Sequence, residues 1–504
     1  MRNAPDPPLD IFVIGGGING AGIARDAAGR GLRVALCEQG DLASATSQAS
    51  SKLIHGGLRY LERLELRLVR ESLRERERLL HNAPHLVRPT EFLLPQTGSP
   101  RPAWMVRTGL WLYDHLKGRS VLPRSHTIEL CGTTSPLLPE HRHAFVYPDC
   151  RVDDARLVIL TAVDAASRGC SIWTHTRCVA AERRAGAWHV TLEAMGTGQR
   201  STIQTRSIVN AAGPWVTRWL DVVGIRSARR IRLLKGSHIV VPRIAAGNDA
   251  LLLQNDDGRV VFVIPFEDAF TLIGTTEVAT AEPEHPECSA AETEYLCLAA
   301  NRYLRTRVSP GDVLWSFAGV RPLVEDASKD ASRVTRDYAF ELDERDGLPL
   351  LSVFGGKLTT YRRLAERAIE RVRPWLPGLQ PSWTANAPLP GGDVASFAVL
   401  YRDLVERFPR LDPELLKRLA RRHGTRTHRL LRGVQEPRDL GEHVGAHLWA
   451  REVRWLVEHE WATTVEDVIW RRSKAGLVLT APQTERLAEL LDDLRRTTST
   501  MPSA

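Results

Sequence analysis

An apolar run at 11–14 feeds straight into a glycine cluster, and a second apolar run at 32–36 ends at Glu38. The residues between them suit a helix as far as Gly29, so the pattern predicts strand, tight turn, helix, strand, acid. A long charged helix is predicted over about 58–81, with leucines at helical spacing; polar residues dominate it, which predicts a solvated surface helix. Alternating stretches at 171–210 predict a small β-meander, its last strand running into Asn210-Ala-Ala-Gly-Pro-Trp215. Residues 231–345 carry β runs without amphipathic helices between them, which predicts an antiparallel sheet and a second domain. The opening grammar then returns: an apolar strand, Gly355-Gly356, and a helix from about 358. Proline and glycine punctuation at 386–396 predicts a linker, and the chain beyond it reads as mostly helical.

The first glycine cluster carries its own chemistry. In Gly15-x-Gly17-x-x-Gly20, the first glycine permits the turn and the second lets backbone N–H groups approach a pyrophosphate. The third allows close helix–strand packing, while the helix N-terminus favours negative charge. Glu38, 18 residues after Gly20, stands where an acid accepts from the ribose hydroxyls of an adenosine. This predicts a dinucleotide site but does not separate NAD from FAD.

Composition narrows the partners. A chain of 504 residues predicts two to three domains, and 43% apolar with 25% charged residues describes an ordinary globular protein. The net charge of +8 favours an anionic partner: nucleic acid, an anionic membrane surface or a phosphorylated substrate. No nucleic-acid-binding signature appears, so nucleic acid is not expected. Seven scattered cysteines without a C-x-x-C pair suit a reducing compartment and predict neither disulfides nor zinc. His443 and His447, four apart, suit one helix face, but no third ligand joins them and no metal site is expected. The N-terminal "MRNAPDPPLD" has no signal-peptide core and no window approaches a membrane span, so a cytoplasmic protein is expected.

Several motifs belong together: "VIGGGINGAGIARDAAGRGL", "SSKLIHGGLRYLE", "VYPDCRVDDARLV", "NAAGPWV", "LLKGSHIVVPR", "GVRPL", "LLSVFGGKLTTYRRLAE" and "HEWATTVEDVIWRRSKAGL". From about 10 to 480 the chain resembles the FAD-dependent, aerobic glycerol-3-phosphate dehydrogenases. The resemblance implies an α/β fold: a glutathione-reductase-like, D-amino-acid-oxidase-like FAD-binding Rossmann domain, an antiparallel-sheet substrate domain and a C-terminal helical domain. It places the oxidoreductase region at 10–385, with FAD-binding parts at about 10–80, 145–220 and 346–385 and substrate parts at about 81–144 and 221–345. The C-terminal domain is expected at 397–504. The implied reaction oxidises sn-glycerol 3-phosphate to dihydroxyacetone phosphate, with electrons leaving through FAD to a membrane quinone; a homodimer is compatible. Three small-residue approaches at 47–57, 211–213 and 355–360 also suit a flavin held by distant segments.

By this resemblance, FAD contacts fall on Gly15, Gly17, Asn19, Gly20 and Glu38, then on Ser47, Ser51, Lys52, Leu53, His55, Gly56 and Gly57. They continue at Val179, Ala212 and Gly213, and at Gly355, Gly356, Lys357, Leu358, Thr359 and Thr360. Arg321 is expected to bind the substrate phosphate through a charged planar fork, with Arg59 and Tyr60 assisting. His238 is the expected base for the hydroxyl proton, with His55 competing for that role, and Lys357 faces the flavin or the substrate. Glu277 stands where the family usually has aspartate and is left out of the catalytic set.

Three readings compete: a glycerol-phosphate oxidase using oxygen, an amine or amino-acid oxidase of the same fold, and a non-enzymatic nucleotide-sensing or nucleic-acid-binding protein. The first expects an inserted segment, the second a carboxylate clamp, and the third has no use for paired glycine turns. A quinone acceptor also predicts peripheral attachment to the cytoplasmic face of the membrane. Residues 101–119 interleave Arg101, Arg107, Lys117 and Arg119 with Trp104, Met105, Leu110, Trp111, Leu112 and Tyr113.

Overall fold

The computed structural model describes residues 8–97, 101–118, 120–130, 135–244, 247–325, 334–335 and 337–499. Its first sheet has the order Ala339–Asp343, Leu350–Phe354, Arg200–Asn210, Leu9–Ile14, Val34–Cys37, Ser171–Trp173. The strands from Leu350–Phe354 to Ser171–Trp173 run parallel. A parallel sheet is covered on both faces, and these strands are apolar on both. Ile11 and Val13 pack with helices Ile18–Gly29, Asp154–Ser167 and Tyr361–Val372; Phe12 and Ile14 pack with Trp188 and Trp219 on the other side. Of the meander expected over 171–210, strands Thr176–Arg184 and Ala187–Ala194 continue antiparallel from Arg200–Asn210, whereas Ser171–Trp173 pairs parallel with Val34–Cys37.

The second sheet has 11 strands. Its spine is Arg230–Pro242 against Trp315–Glu325, antiparallel over eleven register pairs. It is mixed rather than wholly antiparallel, because Ala250–Gln254 runs parallel to Val87–Pro95. Strand His143–Val152 pairs with Val87–Pro95 in this sheet. The division expected at 145 therefore falls inside a strand of the second sheet, and the chain returns to the first at helix Asp154–Ser167.

Beyond Ser396, helices Phe397–Arg407, Pro413–His423, Ala450–Glu460 and Ala481–Ser499 enclose a separate core that includes Leu416, Leu419, Val453, Leu456 and Leu487. Buried charges dock this C-terminal unit on helix Asp154–Ser167 and on the loop after Val34–Cys37. Arg156 pairs with Glu460, which also takes Arg426 at 2.7 Å, and Arg472 pairs with Asp41. No helix among the described residues is long and apolar enough to cross a membrane.

Three further expectations change. The helix expected over 58–81 breaks at Leu64, whose φ is +54°, into a 3-10 turn Leu58–Arg63 and helix Leu66–Asn82. That helix is not a solvated one: Leu73, Leu79, Glu75 and Arg76 are all buried, the two charges because ion pairs satisfy them. The 386–396 linker packs down on the chain before it: Leu389 is buried and its N–H donates to the Asn82 carbonyl at 2.8 Å. His443 and His447 share no helix face: His443 lies in strand His443–Gly445 and His447 in the turn after it, at φ +56°.

Candidate active site

A cavity of about 1100 Å³ is walled by residues of both sheets and of the C-terminal unit. Gly15, Gly17, Glu38 and Ser47 line its nucleotide end; Arg59, Tyr60, Arg321 and Lys357 line another part.

The three opening glycines divide their work as their surroundings dictate. Gly15 has φ +106°, and a Cβ there would lie 2.5 Å from the Ala211 carbonyl oxygen. A Cβ on Gly20 would lie 1.9 Å from the Gly15 carbonyl oxygen, so Gly20 sits in the packed helix–strand crossing, off the cavity wall. A Cβ on Gly17 would lie 3.1 Å from Ser47 Oγ alone, with no backbone against it, and this glycine is on the cavity wall. Ser47 Oγ accepts from the Ile18 N–H at 3.0 Å. Glu38 accepts from the N–H groups of Gly16 at 2.7 Å and Gly40 at 2.9 Å; burial pushes its pKa up and these donors oppose that. Asn19 Nδ2 donates to the Gly355 carbonyl at 3.0 Å and so joins the two glycine turns.

The 41–57 loop is held from below. Lys52 is buried, its ammonium 2.8 Å from Asp154 and 2.7 Å from the Gln48 carbonyl, so its charge is used in the fold and not on the cavity wall. Ser51 and Leu53 do line the wall, and Ser51 Oγ lies 2.9 Å from His238 Nε2. The Gly56 N–H donates to Tyr113 Oη at 2.9 Å and Asp149 Oδ1 at 3.2 Å, and Arg76 pairs with Asp149 at 2.7 Å. Gly57, at φ +79°, opens the turn that carries Arg59 and Tyr60. The His55 N–H donates to Thr359 Oγ1 at 3.1 Å, tying this loop to the second glycine turn.

His238 is 1% exposed and is not itself on the wall. Its ring stacks on Phe317 at 4.9 Å between centroids and 12° between planes. Burial, then Arg321, then Lys52 hold its pKa well below the ordinary histidine value, so it is neutral near pH 7. Phe317, Gly319 and Arg321 share a face of their strand by alternation. Arg321 donates to Thr275 Oγ1 at 3.4 Å and stands 3.7 Å from Glu277, the acid left out of the catalytic set. Lys357 Nζ lies 3.8 Å over the Tyr60 ring.

The remaining expected residues separate. Ala212, Gly213, Gly355, Gly356, Leu358 and Thr359 line the cavity; Gly56, Val179 and Thr360 do not. Val179 falls in a register irregularity between Cys178 and Ala180, and Cys178 is the wall residue there. In the 101–119 segment, helix Ala103–Leu116 leaves Trp104, Met105 and Trp111 exposed but buries Leu110 and Tyr113, the latter through its hydroxyl on Asp149. Lys117 is buried beside Asp114 at 3.1 Å, and Arg119 lies outside the described residues.

Sequence reasoning missed two groups. One is the Arg76–Asp149–Tyr113 support under Gly56. The other is the C-terminal wall of Glu466, Trp470, Arg471 and Lys474, where Trp470 stacks on Trp315 at 4.3 Å and 7°. The motif "HEWATTVEDVIWRRSKAGL" held that wall, but nothing in its spacing shows where it docks.

The residues suit a large, anionic, hydrogen-bonding ligand. Of the wall residues, Asn19 Oδ1 and Lys357 Nζ are buried without a hydrogen-bond partner among the described residues, and buried polar atoms are normally satisfied. With Gly17 on the same wall, these are features that FAD would use.

Comparison with known proteins supports the same reading. Residues 10–362 match the family model "FAD dependent oxidoreductase", and 382–498 match "C-terminal domain of alpha-glycerophosphate oxidase". The chain is 52% identical to glycerol-3-phosphate dehydrogenase of Pseudomonas aeruginosa, over 97% of each chain. It is 48% identical to D-erythritol 1-phosphate dehydrogenase of Brucella abortus, over 96% of this chain and 98% of that one. Among solved structures it is similar to glycerol-3-phosphate dehydrogenase from Bacillus halodurans complexed with FAD, at TM-score 0.74 and 27% identity over 97% and 95% of the two chains.

Proposed function

Since this chain belongs to the FAD dependent oxidoreductase family, we propose that it is an FAD enzyme oxidising sn-glycerol 3-phosphate to dihydroxyacetone phosphate. The observation that carries the substrate class is the cationic wall. Arg59, Arg321 and Lys357 face one cavity, suited to a phosphate dianion and unsuited to a neutral amine.

Bound FAD supplies the two-electron acceptor for the hydride on carbon 2. The chain's own residues do the rest. Arg321 and Arg59 hold the phosphate, and the hydroxyl proton passes to neutral His238, through Ser51 Oγ where the substrate does not reach the imidazole itself. Carbon 2 then becomes the ketone. Glycines 15, 17, 355 and 356 would admit the cofactor's backbone contacts, and Glu38, held by the Gly16 and Gly40 N–H groups, would accept from the ribose hydroxyls. Lys357 and the N-terminal turn before Tyr361–Val372 would compensate negative charge on the reduced cofactor.

In this reading the electrons leave to a membrane quinone, and the protein binds the membrane peripherally. Trp104 is 71% exposed, Met105 38% and Trp111 60%, and such side chains suit the headgroup level of a bilayer.

Anaerobic flavin bleaching tests the reading. Glycerol 3-phosphate should reduce the flavin faster than unphosphorylated glycerol, D-erythritol 1-phosphate or amino acids. Faster bleaching by erythritol phosphate would move the substrate, and by amino acids the reaction class.

A further inference from the structure

Where the C-terminal unit meets the second sheet, cations gather around the turn between strands Val260–Phe266 and Phe270–Gly274. Arg88 and Arg151 are direct cross-strand neighbours, so their side chains share one face of the sheet. Arg151 donates to the Pro265 carbonyl and, at 3.0 Å, to Thr90 Oγ1. Arg243 donates to the Asp268 carbonyl at 3.4 Å. From the other side, Lys417 on helix Pro413–His423 stands 3.6 Å from the Asp268 carboxylate, which seats that helix against the same turn. Arg418 and Arg421 follow on the helix, and the Arg421 guanidinium lies 3.2 Å over the Phe397 ring.

Arg88, Arg151, Arg243, Lys417, Arg418 and Arg421 thus face a turn whose acids are Glu267 and Asp268, the latter shared with Lys417. Among the described residues the Arg88 and Arg418 side chains have neither a hydrogen bond nor an ion pair, and Arg421 has its ring contact alone. Burial and then Arg88 push Arg151 down to about 10. Burial and then Arg88, with Arg151 adding to it, push Arg421 down to about 9. Burial and then Arg422 lower Arg418 as well. Charges held partly out of water beside like charges are costly unless an opposite charge joins them. Planar guanidinium forks are the groups that hold oxyanions best.

We propose that this seam is an anion-binding site for a ligand bearing several phosphate-type charges, which ties the C-terminal unit to the second sheet. It is distinct from the catalytic cavity, whose wall includes none of these six residues. The ligand chemistry is the same whether its source is a soluble polyphosphate ester or anionic lipid headgroups.

Full-length flavin-loaded enzyme should be titrated calorimetrically with tripolyphosphate at constant ionic strength, beside Arg321→Ala to remove the phosphate contact of the cavity. One tripolyphosphate per chain should still bind Arg321→Ala. In the double variant Arg88→Gln/Arg418→Gln, which breaks no hydrogen bond or ion pair among the described residues, affinity should fall about tenfold or more, the scale of one charge-assisted hydrogen bond. Without anion that variant should melt at or above the wild type, because repulsion is relieved. Co-sedimentation with phosphatidylglycerol against phosphatidylcholine vesicles then assigns the source. Loss in the double variant makes it lipid, and retention alongside lost tripolyphosphate binding makes it soluble. The proposal is overturned if wild type binds no tripolyphosphate, if the double variant binds it equally, or if Arg321→Ala abolishes binding. A melting temperature several degrees lower in the double variant would mark these arginines as structural struts and would also overturn it.

Discussion

Replacing Arg321 with alanine probes two roles of one guanidinium. The first is phosphate binding. A hydrogen bond to a charged group contributes roughly 1.5–3 kcal/mol. The Arg321 side chain is 34% exposed and partly neutralised by Glu277, so the lower half of that range applies. At about 1.4 kcal/mol per factor of ten, affinity for glycerol 3-phosphate should fall roughly 10- to 40-fold. The second role is electrostatic. His238 is kept neutral first by burial and then by Arg321, and the proposed base works only when neutral. Its folded-state pKa lies below the unfolded value, so activity is present at neutral pH and is lost as pH falls through the depressed pKa. Removing Arg321 lifts part of that depression, and the acid limb should move up, toward the ordinary histidine range, without reaching it. Stopped-flow anaerobic flavin reduction, across substrate concentration and pH, reads both effects. Flavin content should not change. An unaltered substrate dissociation constant would refute the phosphate assignment. Weakened binding with an unmoved acid limb would keep the phosphate and remove His238 as the base.

Other consequences can be measured singly. Gly17→Val should give folded but colourless protein, because its side chain enters space the cofactor needs; Gly20→Ala should instead lower the melting temperature, since its Cβ would meet the Gly15 carbonyl. Full flavin occupancy in Gly17→Val would remove the pyrophosphate from this turn. His85 is buried, and its pKa is pushed down to about 3 by burial and then by Arg156 and His423. The unfolded chain therefore binds the extra proton first, and stability should fall by about 1.4 kcal/mol per pH unit as pH drops below ~6.5. His85→Gln should flatten that slope in urea melts run at successive pH values. Trp104→Ser/Trp111→Ser should weaken liposome co-sedimentation and quinone-linked turnover while substrate still bleaches the flavin; unchanged co-sedimentation would move the anchor elsewhere.

The local grammar of this chain was readable without coordinates. Strand, glycine turn and helix at 9–29 and again at 350–372 follow from short-range sterics, because only glycine suits the turns and only continuous apolar runs suit a strand buried on both faces. The meander at 176–210 and the helical C-terminal unit were legible for the same reason: periodicity is a local property. What depended on long-range packing was not. Lys52 reads as a cation beside a glycine-rich loop, and only the fold brings Asp154 to neutralise it. Tyr113 reads as an interfacial aromatic until strand His143–Val152 sets Asp149 against its hydroxyl. Helix Leu66–Asn82 reads as a solvated surface because its buried charges look exposed when their partners, Asp149 and Arg362, are distant in sequence. The placement of Trp470 on Trp315, which makes the C-terminal unit a wall of the cavity, joins residues 155 positions apart. Backbone preference acts within a few residues and is written in the sequence; the pairing of buried charges and rings is decided by which surfaces meet, and only the tertiary structure decides that.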